Sequence, residues 1–130
     1  MIETALYTLL DNDAGLAAIV GDRIYPVEAP EGAARPLLVY SVVSSVSEPA
    51  FGADSALKRS RFTLLAASDD SALDAATTAR AALAAVRRYR GTVGGITIQD
   101  IFVENDGTDF RDPQGKIWYR AADIIIHHLE

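Results

Sequence analysis

The sequence predicts an α+β fold: two helices packed on one face of a mainly antiparallel sheet of about four strands, with long hairpin loops between strands. Three observations lead there. Apolar residues recur at helical spacing near the start and again over 70–88. Four other segments carry the β-branched and aromatic content of strands. The order is helix, two strands, helix, two strands, a pattern that sets helices against a sheet instead of alternating them with parallel strands.

Ile2, Ala5, Leu6, Leu9 and Leu10 mark the first amphipathic helix. Asp11-Asn12-Asp13 interrupts it near Asn12. Asp13 is placed to cap a continuation through Val20, and Gly21 to stop it. Arg23-Ile24-Tyr25-Pro26 is a short extended piece, and Glu28 to Arg35 reads as a loop rich in Pro, Gly and Ala. Pro36 opens a strand over Leu37 to Val46, with Val39 and Val43 on one face and Tyr40, Val42 and Val46 mostly on the other. Ser47 to Ala56, holding Pro49 and Gly52, is expected as an exposed, mobile loop. Arg59 to Ala67 is the second strand, with Phe62, Leu64 and Ala66 alternating against Thr63 and Leu65.

Ser68-Asp69-Asp70-Ser71 supplies caps and negative charge for a helix from Asp70 to about Arg88. Ala72, Ala76, Ala79, Leu83 and Val86 are its expected buried stripe, small enough for close packing on a sheet. Gly91 is expected to end it, with Arg87, Arg88 and Arg90 at the negative end of its dipole. Gly91 to Gly95 reads as a turn. Ile96 to Val103 is the third strand, Glu104 to Gly115 a polar loop, and Ile117 to His127 the fourth strand.

The 130 residues fit one domain, with 49% hydrophobic and 23% charged residues, the balance of an ordinary globular chain. There is no cysteine, which removes disulfides, thiolate nucleophiles and Cys-type zinc sites. Met1-Ile2-Glu3 lacks the basic segment and apolar core of a signal peptide, and no apolar run is long enough to span a bilayer. A net charge of −6 argues against general attraction to nucleic acid. That charge is unevenly placed. Residues up to Leu57 carry eight acids and two bases, Lys58 to Arg90 seven bases and three acids, and the remainder seven acids and three bases. Unlike surfaces on one subunit are what a head-to-tail contact needs.

No constellation argues for an active site. His127 and His128 are adjacent, so on a strand they point to opposite faces and cannot share a metal; a surface strand end is the expected setting. The acidic run Glu104 to Asp112 fails the register of a calcium loop: with Gly107 in the glycine position, Phe102 and Pro113 fall where acids are needed. Asp69, Asp70 and Asp74 suit a helix start. Arg87-Arg88-Tyr89-Arg90 suits a helix end better than a phosphate contact. Gly91-Thr92-Val93-Gly94-Gly95 lacks either phosphate-loop pattern.

Taken in order, these segments resemble a known family. Val20-Gly21-Asp22-Arg23-Ile24-Tyr25-Pro26 after an interrupted helix, the proline-led strand Arg35-Pro36-Leu37-Leu38-Val39-Tyr40, the strand Arg61 to Ser68 running into the Ala-rich helix Asp70 to Val86, and the closing strand Tyr119-Arg120-Ala121-Ala122-Asp123-Ile124 are similar to phage tail terminator, or tail-completion, proteins. The chain departs from them at Leu65-Ala66-Ala67, where relatives often carry bulkier residues. The resemblance implies a lambda-like terminator fold with no enzymatic activity and no cofactor. It implies a ring homo-oligomer, typically a hexamer, at the head-proximal end of the virion tail, assembled in the host cytoplasm. Its partners would be itself, the major tail tube protein and head-tail connector proteins, with DNA only as passing cargo and no membrane. A head-tail adaptor or stopper of the neck is the alternative, and a small oligomeric α+β enzyme or ligand-binding protein with an inter-subunit site is the alternative of another class.

Within that reading the subunit or partner interface is expected at Phe51, Lys58, Arg59, Arg61, Asp106, Asp109, Phe110 and Arg111, with Trp118 as a further anchor. If the strand that Lys58, Arg59 and Arg61 enter lies at the sheet edge, these bases would face the acidic 104–112 segment of a neighbour.

Overall fold

The computed structural model describes residues 1–50 and 53–129, and the side chains of 1–47 and 57–129. The elements run α1 (Ile2–Asp11), α2 (Ala14–Val20), β1 (Ile24–Pro26), β2 (Leu37–Ala50), β3 (Ala53–Ser68), α3 (Ala72–Val86), β4 (Gly91–Val93), β5 (Ile96–Arg111) and β6 (Trp118–Leu129). The fold is α+β, with the strands in one six-stranded sheet of order β1-β2-β3-β6-β5-β4. β1 pairs with β2 in parallel and every other pair is antiparallel.

The helices pack on one face. Ile2, Leu6, Leu10, Leu16 and Val20 meet Ala79, Leu83 and Val86 of α3 over Leu38, Tyr40, Phe62, Leu64, Ile98, Ile101, Ile124 and Ile126 of the sheet. A smaller cluster, Leu37, Val39 and Ala67 under Tyr25, Ala29, Ala33 and Tyr119, closes part of the opposite face. The alternation expected in the second strand is present: Phe62, Leu64 and Ala66 are all buried against the helices.

Local chemistry explains the helix limits. The break at Asn12 makes two helices of the first one. Asp13 caps the second by accepting from the Leu16 N–H at 2.9 Å, and Gly21 ends it at φ +61°. Ser71 caps α3, accepting from the Asp74 N–H at 3.0 Å, while the Ser68 hydroxyl donates to the Asp74 carboxylate at 2.5 Å.

Five expectations are corrected. The sheet has six strands, because Ile24–Pro26 and Gly91–Val93 are long enough to pair though too short to show periodicity. The 47–56 stretch is not a simple loop: β2 reaches Ala50, β3 starts at Ala53, and Pro49 is paired across from Asp54. Residues 104–111 are strand rather than loop, since β5 stays paired to β6 through Arg111↔Trp118, with register shifts absorbing the extra residues. α3 ends before Gly91; Arg88 takes the left-handed conformation at φ +59°, held by its N–H donating to the Ile101 carbonyl at 2.9 Å. Gly94 and Gly95, both at positive φ, form the two-residue turn from β4 to β5.

The histidines do face opposite ways, but His128 is not at the surface. It is fully buried, its Nε2 2.8 Å from the Ser60 hydroxyl, which lies 2.9 Å from that of Ser45. His127 is half-buried with its ring edge-on to Phe102.

Candidate subunit interface

The side chains expected at an interface divide between two places. Phe51 lies outside the described residues. Arg59 and Arg61 project from β3 on the face away from the helices, where with Ser44, Glu104 and Ile125 they frame a shallow recess of about 250 Å³. β3 is not an edge strand: β2 flanks it on one side and β6 on the other. Arg61 reaches across β6 to form an ion pair with Glu104 of its own chain. Lys58, half-buried, is one register step from Arg59 and alternates to the helix side. The expected meeting of an edge-strand base with a neighbour's acid is thus overturned for Arg61. The sequence could not show that folding brings residues 61 and 104 together.

Asp106, Asp109, Phe110 and Arg111 do come together, along β5 beneath α3. β4 covers β5 only as far as Ile98, so the rest of β5 forms the margin of the sheet. On that margin, Arg80, Leu83, Ala84 and Arg87 of α3 face Asp106 and Gly107 of β5 and Arg120 of β6 across a cavity of about 430 Å³. Arg80 lies on the exposed face of α3, and Arg87, the exposed residue that follows Val86, caps the helix end. Neither has an ion-pair partner among the described residues.

Arg120 grips Asp109 with two hydrogen bonds, 2.7 Å from Nε and 3.2 Å from Nη2. That grip holds the Asp109 carboxyl below the ordinary carboxylate range and raises the Arg120 guanidinium. Gly107 leaves room for this pair, since a Cβ would stand 2.8 Å from Arg120 Nε and the guanidinium would have to shift. Below this pair lies a second recess of about 300 Å³ between Ala72, Phe110, Arg111 and Trp118. Arg111 lies 3.9 Å over the Trp118 ring, and Phe110 stacks on Tyr119 with centroids 5.0 Å apart. The aromatic anchors expected in a loop are therefore placed by a strand.

At the upper end of α3, Arg88 and Arg90 both contact Asp100, at 3.0 and 3.1 Å. Burial pushes the Asp100 carboxyl up, but the Arg90 hydrogen bond, the Ile101 N–H and the two arginine charges outweigh it and leave it lowered. Arg88 also lies 4.8 Å over Phe102. These two arginines are occupied within the chain, as a helix-end role requires.

The basic members of the groove, Arg80, Arg87 and Arg120, were not among the residues expected at the interface. The first two carry a legible signal, equal charges seven apart on the exposed face and at the end of a helix. Arg120 carries none, because its role depends on pairing with β5.

No curated protein matches this chain. A chain in a solved structure, "Virion of native gene transfer agent (GTA) particle", shares the fold with a TM-score of 0.77 at 16% identity, covering 99% of this chain and 95% of that one. The profile of the family described as tail completion protein gp17 matches residues 4–125. With that match spanning nearly the whole sequence, the chain belongs to the tail completion protein gp17 family and is a structural phage protein of the virion, not an enzyme.

Proposed function

We propose that this protein is the tail terminator subunit: it forms a ring, typically of six copies, on the head-proximal end of the tail tube, stops tube polymerisation and offers a surface to the head-tail connector, with DNA passing through the channel. The match to the tail-completion family over residues 4–125 carries this reading. The uneven charge supports it, since a closed ring needs head-to-tail contacts between unlike surfaces. So does the β5 margin, where Phe110, Arg111 and Trp118 lie beside the groove arginines in the mixture of aromatic and Arg side chains typical of contact surfaces. The net charge of −6 suits a channel through which DNA slides without being held.

The test is tube growth with purified major tail tube protein. Adding the subunit should give shorter tubes carrying a ring at one end in electron micrographs. Tubes of unchanged length, with the subunit bound instead to portal or adaptor protein, would reassign it to the neck as an adaptor or stopper.

A further inference from the structure

The groove between α3 and β5 lies at one margin of the sheet; at the opposite margin the 27–31 turn presents two exposed carboxylates. β1 is the edge strand there, and the chain leaves it as Val27-Glu28, passing Glu31 before returning to β2. Val27 is 75% exposed and holds φ +67°, a conformation costly for a β-branched residue. Glu28 and Glu31 are exposed and have no cationic partner among the described residues. The 27–31 turn thus displays one apolar side chain flanked by two uncompensated carboxylates. The groove offers the complement: Arg80 and Arg87, with no ion-pair partner among the described residues, and between them a floor of Leu83 and Ala84.

We propose that the α3–β5 groove is the socket for the 27–31 turn of the next copy of this chain, with Glu28 and Glu31 meeting Arg80 and Arg87 and Val27 seated on Leu83 and Ala84. This rests on the ring reading above and names the two surfaces that would close it. Socket and turn lie at opposite margins of one sheet, so the contact is head-to-tail and cannot be satisfied by two copies facing each other around a twofold axis. A second copy fits better than DNA. The cavity is sized for a few side chains, Asp106 shares its rim, and the chain as a whole carries a net charge of −6.

Charge swapping tests it, with ring formation read by mass in solution and on tube ends. R80E with R87E, and separately E28R with E31R, should each weaken ring formation roughly tenfold or more, while the four changes together should restore it. Because the chain has no cysteine, V27C with A84C should join copies into a ladder of cross-linked multimers on oxidation, and neither single variant should pass a dimer. All these positions are exposed, so unchanged melting of the variants separates lost contact from lost fold. If wild-type rings form and the reversals leave them intact, the socket is wrong and the ring reading stands. If the arginine reversal abolishes only duplex DNA binding by otherwise normal rings, the groove is a phosphate site. If wild-type protein stays monomeric or stops at twofold dimers even with tube ends present, the ring reading itself falls.

Discussion

At the scale of single residues, the β5 margin turns on three residues that act together. Asp109 is held ionised by Arg120, and Arg120 keeps its place because Gly107 leaves room for it. The neighbouring atom is part of a flexible side chain, yet one pinned by two hydrogen bonds, so a new methyl group must break the pairing to fit. Gly107→Ala should therefore displace the guanidinium, let the Asp109 carboxyl rise toward its ordinary value, and lower the melting temperature by about 2–5 °C. A carboxyl-carbon NMR titration of Asp109 beside a thermal melt checks both; an unmoved titration would show that Arg120 has another way to keep its partner. The adjacent histidines show how far residue type can mislead. On a strand one of two neighbours must face inward, and here the inward one, His128, is accommodated by the Ser60 hydroxyl, whose contribution depends on pairing 68 residues apart.

At the scale of elements, helices were legible because their signals are local. Asp13, Gly21 and Ser71 act on N–H groups and turns within four residues of themselves. Ser71→Ala should cost about 1 kcal/mol by leaving the Asp74 N–H uncapped, measurable as a lower urea midpoint with an unchanged slope. Strand ends were read short for a physical reason. Beyond Val103, β5 passes out from under the apolar core, so its residues alternate between half-buried and exposed without a hydrophobic stripe. Pairing with β6, not burial, keeps them extended. Amides of 104–111 that bond to β6 should consequently exchange far more slowly than a loop would allow. Exchange as fast as that of the 112–116 turn would restore the loop reading.

At the scale of the whole molecule, charge sets how stability responds to acid. Asp100, Asp109 and Asp112 are all held below the ordinary carboxylate range: Asp100 by Arg90, the Ile101 N–H and Arg88 against the cost of burial, Asp109 by Arg120, and Asp112 by the N–H groups of Ile117 and Lys116. The unfolded chain then binds more protons than the folded one as these groups titrate. Their stabilisation is fully present above the unfolded carboxylate value of about 3.9 and is lost as the pH falls through their lowered folded values. Urea midpoints measured across that acid range should fall on acidification, and Asp109→Asn should flatten part of the slope. A profile unchanged by that substitution would mean that the Arg120 pairing contributes nothing to folding.

By itself, the sequence determined the fold class, two helical regions with the break in the first, the caps at Asp13 and Ser71, the inward faces of the main strands and the family. Each of these rests on periodicity, on capping within a turn, or on an ordered set of short motifs spread over most of the chain. Only the tertiary structure decided which charges are available. Arg61 is paired with Glu104 across β6, and Arg88 and Arg90 with Asp100, while Arg80 and Arg87 face a cavity. An ion pair depends on separation in space, and the sheet order β3-β6-β5 brings residue 61 to residue 104 although more than forty positions separate them. No local pattern encodes that distance, which is why the α3–β5 groove became visible only once the strands were in register.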